Sequence, residues 1–220
     1  MKTFKNVIQP SFEEVFECDY KLKGNWAKKF FKNTNPIVLE LGCGKGEYSI
    51  GLAKKFPDKN FIGIDIKGAR IWRGAKTAID NNIPNVAFIR TKIDFISSFF
   101  AKNEISEIWL TFSDPQPKKA HKRLTSSRFL SYYQKFIIDN GIINLKTDNT
   151  NLYKYTIDVV NVNNLEVINN IYDIYSDENI DDILSIKTFY EQQFLKENKC
   201  IHYIKFKLKL NINLEEPETE

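Results

Sequence analysis

The chain's 220 residues are enough for one domain with a full central sheet and flanking helices. A hydrophobic share of 42% beside 27% charged residues excludes a disordered chain, and a net charge of +4 matters only where the positive residues cluster. Cys18, Cys43 and Cys200 are too scattered for a disulfide framework or a Cys-x-x-Cys metal site. No apolar run reaches the ~20 residues that span a bilayer, and the first ten residues lack the apolar core of a secretory leader. The expectation is a cytoplasmic, metal-free protein.

Residues 11–31 carry Phe12, Phe16, Tyr20, Trp26, Phe30 and Phe31 among charges, which reads as an aromatic and basic arm (1–35) packed on the core. The main domain, 36–212, then alternates short β-rich runs with amphipathic stretches. Ile37–Leu41 is an apolar run ending in glycines, as a buried parallel strand does. A helix is expected over 46–56, a strand over 61–65, and a helix over 70–82 with Ile71, Ala75, Ala78 and Ile79 on one face. A strand over 85–90, a short helix over 93–101 and a strand over 107–112 follow.

Phe129, Tyr132, Tyr133, Phe136 and Ile137 predict a long helix with an apolar stripe. Next come a strand over 141–146, a helix through Leu152, Tyr155, Thr156, Val159 and Val160, and a strand over 165–175. Ile204, Phe206, Leu208 and Leu210 alternate with Lys205, Lys207 and Lys209, the pattern of an antiparallel strand near a sheet edge. The acidic residues after 212 read as a disordered tail (213–220). Repeated β-α units with an antiparallel C-terminal strand make an α/β, Rossmann-like doubly wound sheet, mostly parallel.

In such a sheet ligands bind beyond the carboxyl ends of the strands, where strand order reverses. The first strand runs into Gly42-Cys43-Gly44-Lys45-Gly46, and these glycines let the backbone turn tightly and approach a ligand. A dinucleotide loop has Gly-x-Gly-x-x-Gly with a pyrophosphate at the helix start. Here Glu47 follows Gly46 at once and would oppose a pyrophosphate. S-adenosylmethionine, which has no phosphate, meets no such objection. Asp65 ends the second strand where an acid conventionally accepts ribose hydroxyls. Glu40 ends the first strand and is a candidate to face the cofactor's ammonium group.

The strand over 107–112 leads into Ser113-Asp114-Pro115-Gln116-Pro117-Lys118, a loop stiffened by two prolines. Lys118, Lys119, His121, Lys122, Arg123 and Arg128 follow with no intervening acid. Beside a catalytic loop, such a run suits phosphate contacts to a nucleic acid. Lys146-Thr147-Asp148 closes the next strand and brings Asp148 to the same sheet edge. Thr188 and Glu191 are three residues apart on an expected helix, a spacing that equally suits a capping pair.

Together these residues resemble the bacterial tRNA (guanine-N(7)-)-methyltransferase family, a group of class I S-adenosylmethionine-dependent enzymes. Glu40 to Gly46 resembles its first motif. Phe112-Ser113-Asp114-Pro115 with Lys118, then Lys146-Thr147-Asp148, then Thr-Phe-Tyr-Glu at 188–191, are more specific. The resemblance implies methyl transfer to N-7 of a guanine in the tRNA variable loop. It implies cofactor contacts from Glu40, Asp65 and Asp114; the glycine turn at Gly42, Gly44 and Gly46 and the backbone of Lys92 and Ile93 are expected to join them, and Asp114 or Asp148 is expected to be catalytic. Lys118, Asp148, Thr188 and Glu191 would touch the substrate, and Lys119, His121, Lys122, Arg123 and Arg128 the tRNA. Gln116 stands where many members have tryptophan, and Lys92 where an Asn or Asp is common. A monomer is expected. The alternatives are a methyltransferase of another substrate and a non-catalytic RNA-binding module.

Overall fold

The computed structural model describes residues 4–176 and 180–218. Eight strands form one sheet: β1 (Val7–Ile8), β2 (Ile37–Leu41), β3 (Asn60–Asp65), β4 (Val86–Arg90), β5 (Ile105–Thr111), β6 (Ile137–Thr147), β7 (Val167–Ile171) and β8 (His202–Leu208). Their spatial order is β1-β4-β3-β2-β5-β6-β8-β7. All neighbours are parallel except β6 with β8 and β8 with β7. The chain winds outward from β2 to β4, returns to the other side of β2 with β5, and so reverses direction between β2 and β5.

Central strands are covered on both faces. In β2, Ile37, Leu39 and Leu41 join one core and Val38 the other, as side-chain alternation requires. This two-sided burial is why the strand reads as an unbroken apolar run. The first core lies under α3 (Ser127–Tyr133), α4 (Thr150–Val162) and the N-terminal arm. The second lies under α1 (Glu47–Lys55), α2 (Gly68–Asp80) and the segment that ends in α5 (Phe189–Lys196).

The arm is part of this architecture. Trp26 is fully buried and its indole N–H donates to Phe99 O at 2.8 Å, while β1 extends the sheet beside β4. The expected long helix over 129–137 is corrected. It stops at Tyr133, and Ile137 already opens β6. The expected strand over 165–175 contracts to Val167–Ile171.

The expected disordered tail is also corrected over 213–216. Leu214 packs on the core, and Asn163 exchanges hydrogen bonds with the backbone of Glu215. The Glu216 carboxylate accepts from Ser127 N, Ser127 Oγ and the Tyr155 hydroxyl. Its last residues, 219–220, lie outside the described part. Among the described residues no helix is long and apolar enough to cross a membrane.

Candidate functional site

At the carboxyl edge of the sheet, across the β2/β5 reversal, a cleft of roughly 600 Å³ opens between the turns after β2, β3, β4 and β5. Gly42, Asp65, Lys92, Ile93, Asp114, Lys122 and Arg128 of the expected site all line it. Ile66, Lys67, Arg70, Thr91, Asp94, Phe112, Ser113, Gln116, Leu124 and Phe129 complete the walls. Of these, Arg70 and Thr91 had no motif to mark them. Their only signal is position, just beyond the ends of β3 and β4.

The glycine turn is held from below. Gly42 N and Cys43 N both donate to Ile64 O, at 2.8 and 3.0 Å. Asp65 accepts from Gly44 N at 2.9 Å through one oxygen and from Lys67 N at 2.7 Å through the other. Gly42 and Gly44 have φ of +79° and +55°, and a Cβ on either would meet nothing within 4 Å. Gly42 lines the cleft, whereas Gly44 is buried behind it and does not. Gly46 differs: a Cβ there would strike Phe88 at 2.4 Å, so this glycine permits helix-on-strand packing. A glycine turn beside a carboxylate with free lone pairs fits an adenosyl ligand, whose ribose hydroxyls need an acceptor.

Glu40 lies elsewhere than the resemblance implies. Sharing the face of Val38, it is buried beneath α1 and accepts from Ser49 N at 2.8 Å and from the hydroxyls of Ser49 and Thr111. It does not line the cleft. Burial outweighs these donors and pushes its carboxyl up to about 7.

Phe112 enters the proline loop at φ +51°, a conformation that costs an aromatic residue free energy. Asp114 is exposed, and its Oδ1 accepts from Gln116 N at 3.0 Å, which leaves Oδ2 free to turn toward the cleft. Arg123 donates to Pro115 O at 3.1 Å and stacks on the Tyr155 ring at 4.2 Å, bracing the loop from behind. Arg128 bridges to Asp94 at 2.9 Å across the cleft wall. Lys118, Lys119, His121 and Lys122 are exposed, and of these only Lys122 reaches the cleft. Asp148, at the end of β6, faces Lys199 at 3.5 Å and lies outside the cleft lining.

In the Thr-Phe-Tyr-Glu segment the three-residue spacing serves as a capping pair. Thr188 caps α5, accepting from Glu191 N at 3.1 Å, while Glu191 accepts from Thr188 N in return. Glu191 is fully buried and pairs with Lys146 at 2.7 Å. Lys146 also donates to Leu184 O and Ile186 O, and the Tyr175 hydroxyl donates to Glu191. Burial holds the Lys146 ammonium below its ordinary value, against the pull of Glu191. As folded, Glu191 is closed off from any substrate because Lys146, Tyr175 and its own helix cap surround it.

Comparison with known proteins bears on this geometry. Residues 34–204 match a family described as "Putative methyltransferase". A tRNA (guanine-N(7)-)-methyltransferase of Bacteroides fragilis is 52% identical over 220 residues, all of this chain and 87% of that protein. One from Christiangramia forsetii is 53% identical over 209 residues, 94% of this chain and 93% of the relative. Among solved structures, the 16S rRNA methyltransferase KamB superposes with a TM-score of 0.62 at 9% identity, over 80% of this chain and 89% of that one. That last likeness concerns the fold.

Proposed function

The chain belongs to the tRNA (guanine-N(7)-)-methyltransferase family, and from that premise we propose how its residues divide the work. The enzyme methylates a tRNA guanine at N-7 with S-adenosylmethionine, and we assign the target to the variable loop. The observation that carries the residue assignment is the cleft itself, which joins the open glycine turn, Asp65 and the Asp114 loop in one space.

S-adenosylmethionine, when bound, supplies a methyl group activated by an adjacent sulfonium. Gly42 and Gly44 give its adenosyl part a close approach, Asp65 accepts from the ribose, and the backbone around Lys92 and Ile93 frames the adenine. Guanine N-7 is an unprotonated lone pair, so no side chain has to remove a proton before transfer. Catalysis is then mainly positioning, a contribution that reaches ~7–11 kcal/mol in favourable cases.

Guanine's Watson–Crick edge offers an imino N–H and an amine side by side, which one carboxylate can accept together. We give that role to Asp114, which lines the cleft, or to Asp148, just past the end of β6 and outside the lining, and either also stabilises positive charge growing on the purine. Lys118 holds the guanine oxygen or a neighbouring phosphate. Lys119, His121 and Lys122 present charge to the tRNA backbone. In this reading the partner is tRNA and the enzyme works as a cytoplasmic monomer.

The deciding experiment incubates the protein with methyl-labelled S-adenosylmethionine and unmodified tRNA, followed by digestion to nucleosides. Label in 7-methylguanosine is the expected result. Label only on another base, or none, refutes the assignment.

A further inference from the structure

The Thr-Phe-Tyr-Glu segment turns Thr188 and Glu191 inward and leaves its two aromatic residues outside. Phe189 is 41% exposed at the start of α5, and Tyr190 stands beside it, half-buried. Phe189 borders a second groove, of roughly 670 Å³, between the starts of α1, α2 and α5. Trp72 on α2 forms another wall and is also 41% exposed, its ring supported by Phe4 at a centroid distance of 6.3 Å.

Three cations accompany these rings. The Lys45 ammonium sits 3.6 Å from the Phe189 centroid, Arg70 lies over Tyr190 at 5.4 Å, and Arg73 lines the groove. None of the three forms an ion pair among the described residues. The groove's one acid, Glu47, is engaged by Phe189 N at 2.9 Å. Arg70 lines the cofactor cleft, while Lys45 of the glycine turn lines the groove, so the two cavities are neighbours on either side of shared elements.

Exposed aromatic faces alternating with unpaired cations are the chemistry that holds single-stranded nucleic acid, rings against bases and cations against phosphates. We propose that this groove is a second tRNA contact, in which Trp72 and Phe189 stack an unpaired base and Arg73 meets an adjoining phosphate. The inference rests on the tRNA reading above and extends the substrate's footprint to the opposite side of the glycine turn from the basic run at 118–128. An acidic protein segment would suit the cations but has no use for the two partly exposed rings.

Tryptophan fluorescence gives a direct test. Of the three tryptophans, Trp26 and Trp109 are buried and Trp72 is exposed, so quenching by an unmodified tRNA transcript reports on Trp72. The full-length protein should show that quenching, and Trp72→Phe should abolish it. Trp72→Ala should raise the KM for tRNA about tenfold, the effect of losing one base stack. Arg73→Ala should reduce the salt dependence of tRNA binding by about one ion, and Arg73→Lys should restore it.

Thermal melts matching the parent would exclude misfolding as the cause. An unquenched parent, or variants with the parent's KM and salt slope, would overturn the proposal, and the groove would then suit an acidic protein segment instead. If the parent makes no 7-methylguanosine, the underlying reading fails. If the parent makes it while Trp72→Ala keeps the parent's KM and Arg73→Ala the parent's salt slope, only this inference fails.

Discussion

The Lys146 ammonium and the Glu191 carboxylate meet at 2.7 Å with both side chains wholly shielded from solvent. Because Lys146 also holds Leu184 O and Ile186 O, the pair fastens the approach to α5 onto β6. Removing one partner leaves a buried charge uncompensated, at a cost of about 3–5 kcal/mol. Lys146→Ala should lose that much stability in urea unfolding. The double variant Lys146→Met with Glu191→Leu should lose less than the sum of the two single changes.

Glu40 makes stability fall as pH rises. Its folded carboxyl titrates at about 7 against an ordinary 4.5. Between those values the folded state binds more protons than the unfolded one, so this group's contribution is complete below 4.5 and is lost as pH passes 7. The slope from this one group is at most about 1.4 kcal/mol per pH unit. Glu40→Gln should flatten that part of the stability profile, as read from denaturation midpoints at pH 5 and pH 8.

Two glycines four residues apart should fail in different ways. Gly46→Ala drives a methyl group into Phe88 and should lower the melting temperature. Gly42→Ala meets no atom but carries a strained φ of +79°, costing about 1–2 kcal/mol, and places its methyl group at the cleft. Its larger deficit should appear in calorimetric binding of S-adenosylmethionine.

Asp65→Ala removes the carboxylate that holds Gly44 N and is assigned to the ribose. Charge-assisted hydrogen bonds are worth about 1.5–3 kcal/mol each, so cofactor affinity should fall at least tenfold. The KM for tRNA should change little, which separates a cofactor role from a general collapse of the site.

For Asp114→Asn and Asp148→Asn, turnover at saturating tRNA should drop about a hundredfold in at least one. Near-parent turnover in both would remove the carboxylates from the chemistry.

The strands of the central sheet were legible because two-sided burial writes an apolar run directly into residues 37–41 and 61–65. The helix over 129–137 was read too long because Phe136 and Ile137 continue the helical spacing while belonging to a turn and to β6. β1 has two residues, too few to display a period. Asp65, Asp114 and the glycine turn were legible since strand ends and special turns mark themselves. The burial of Glu191 was not, because Lys146 lies far away in sequence and only the fold joins them. The acidic composition after 212 masked the specific partners of Glu216 in Ser127 and Tyr155.

The position of β8 dictates an order of assembly. β7 precedes β8 in the chain, yet its only neighbour in the sheet is β8, which lies between it and β6. During synthesis β7 therefore emerges without its strand partner and waits until the final strand has docked antiparallel on β6. That interval is when a nascent chain is open to chaperones and to aggregation, and a ribosome stalled before His202 would hold it there.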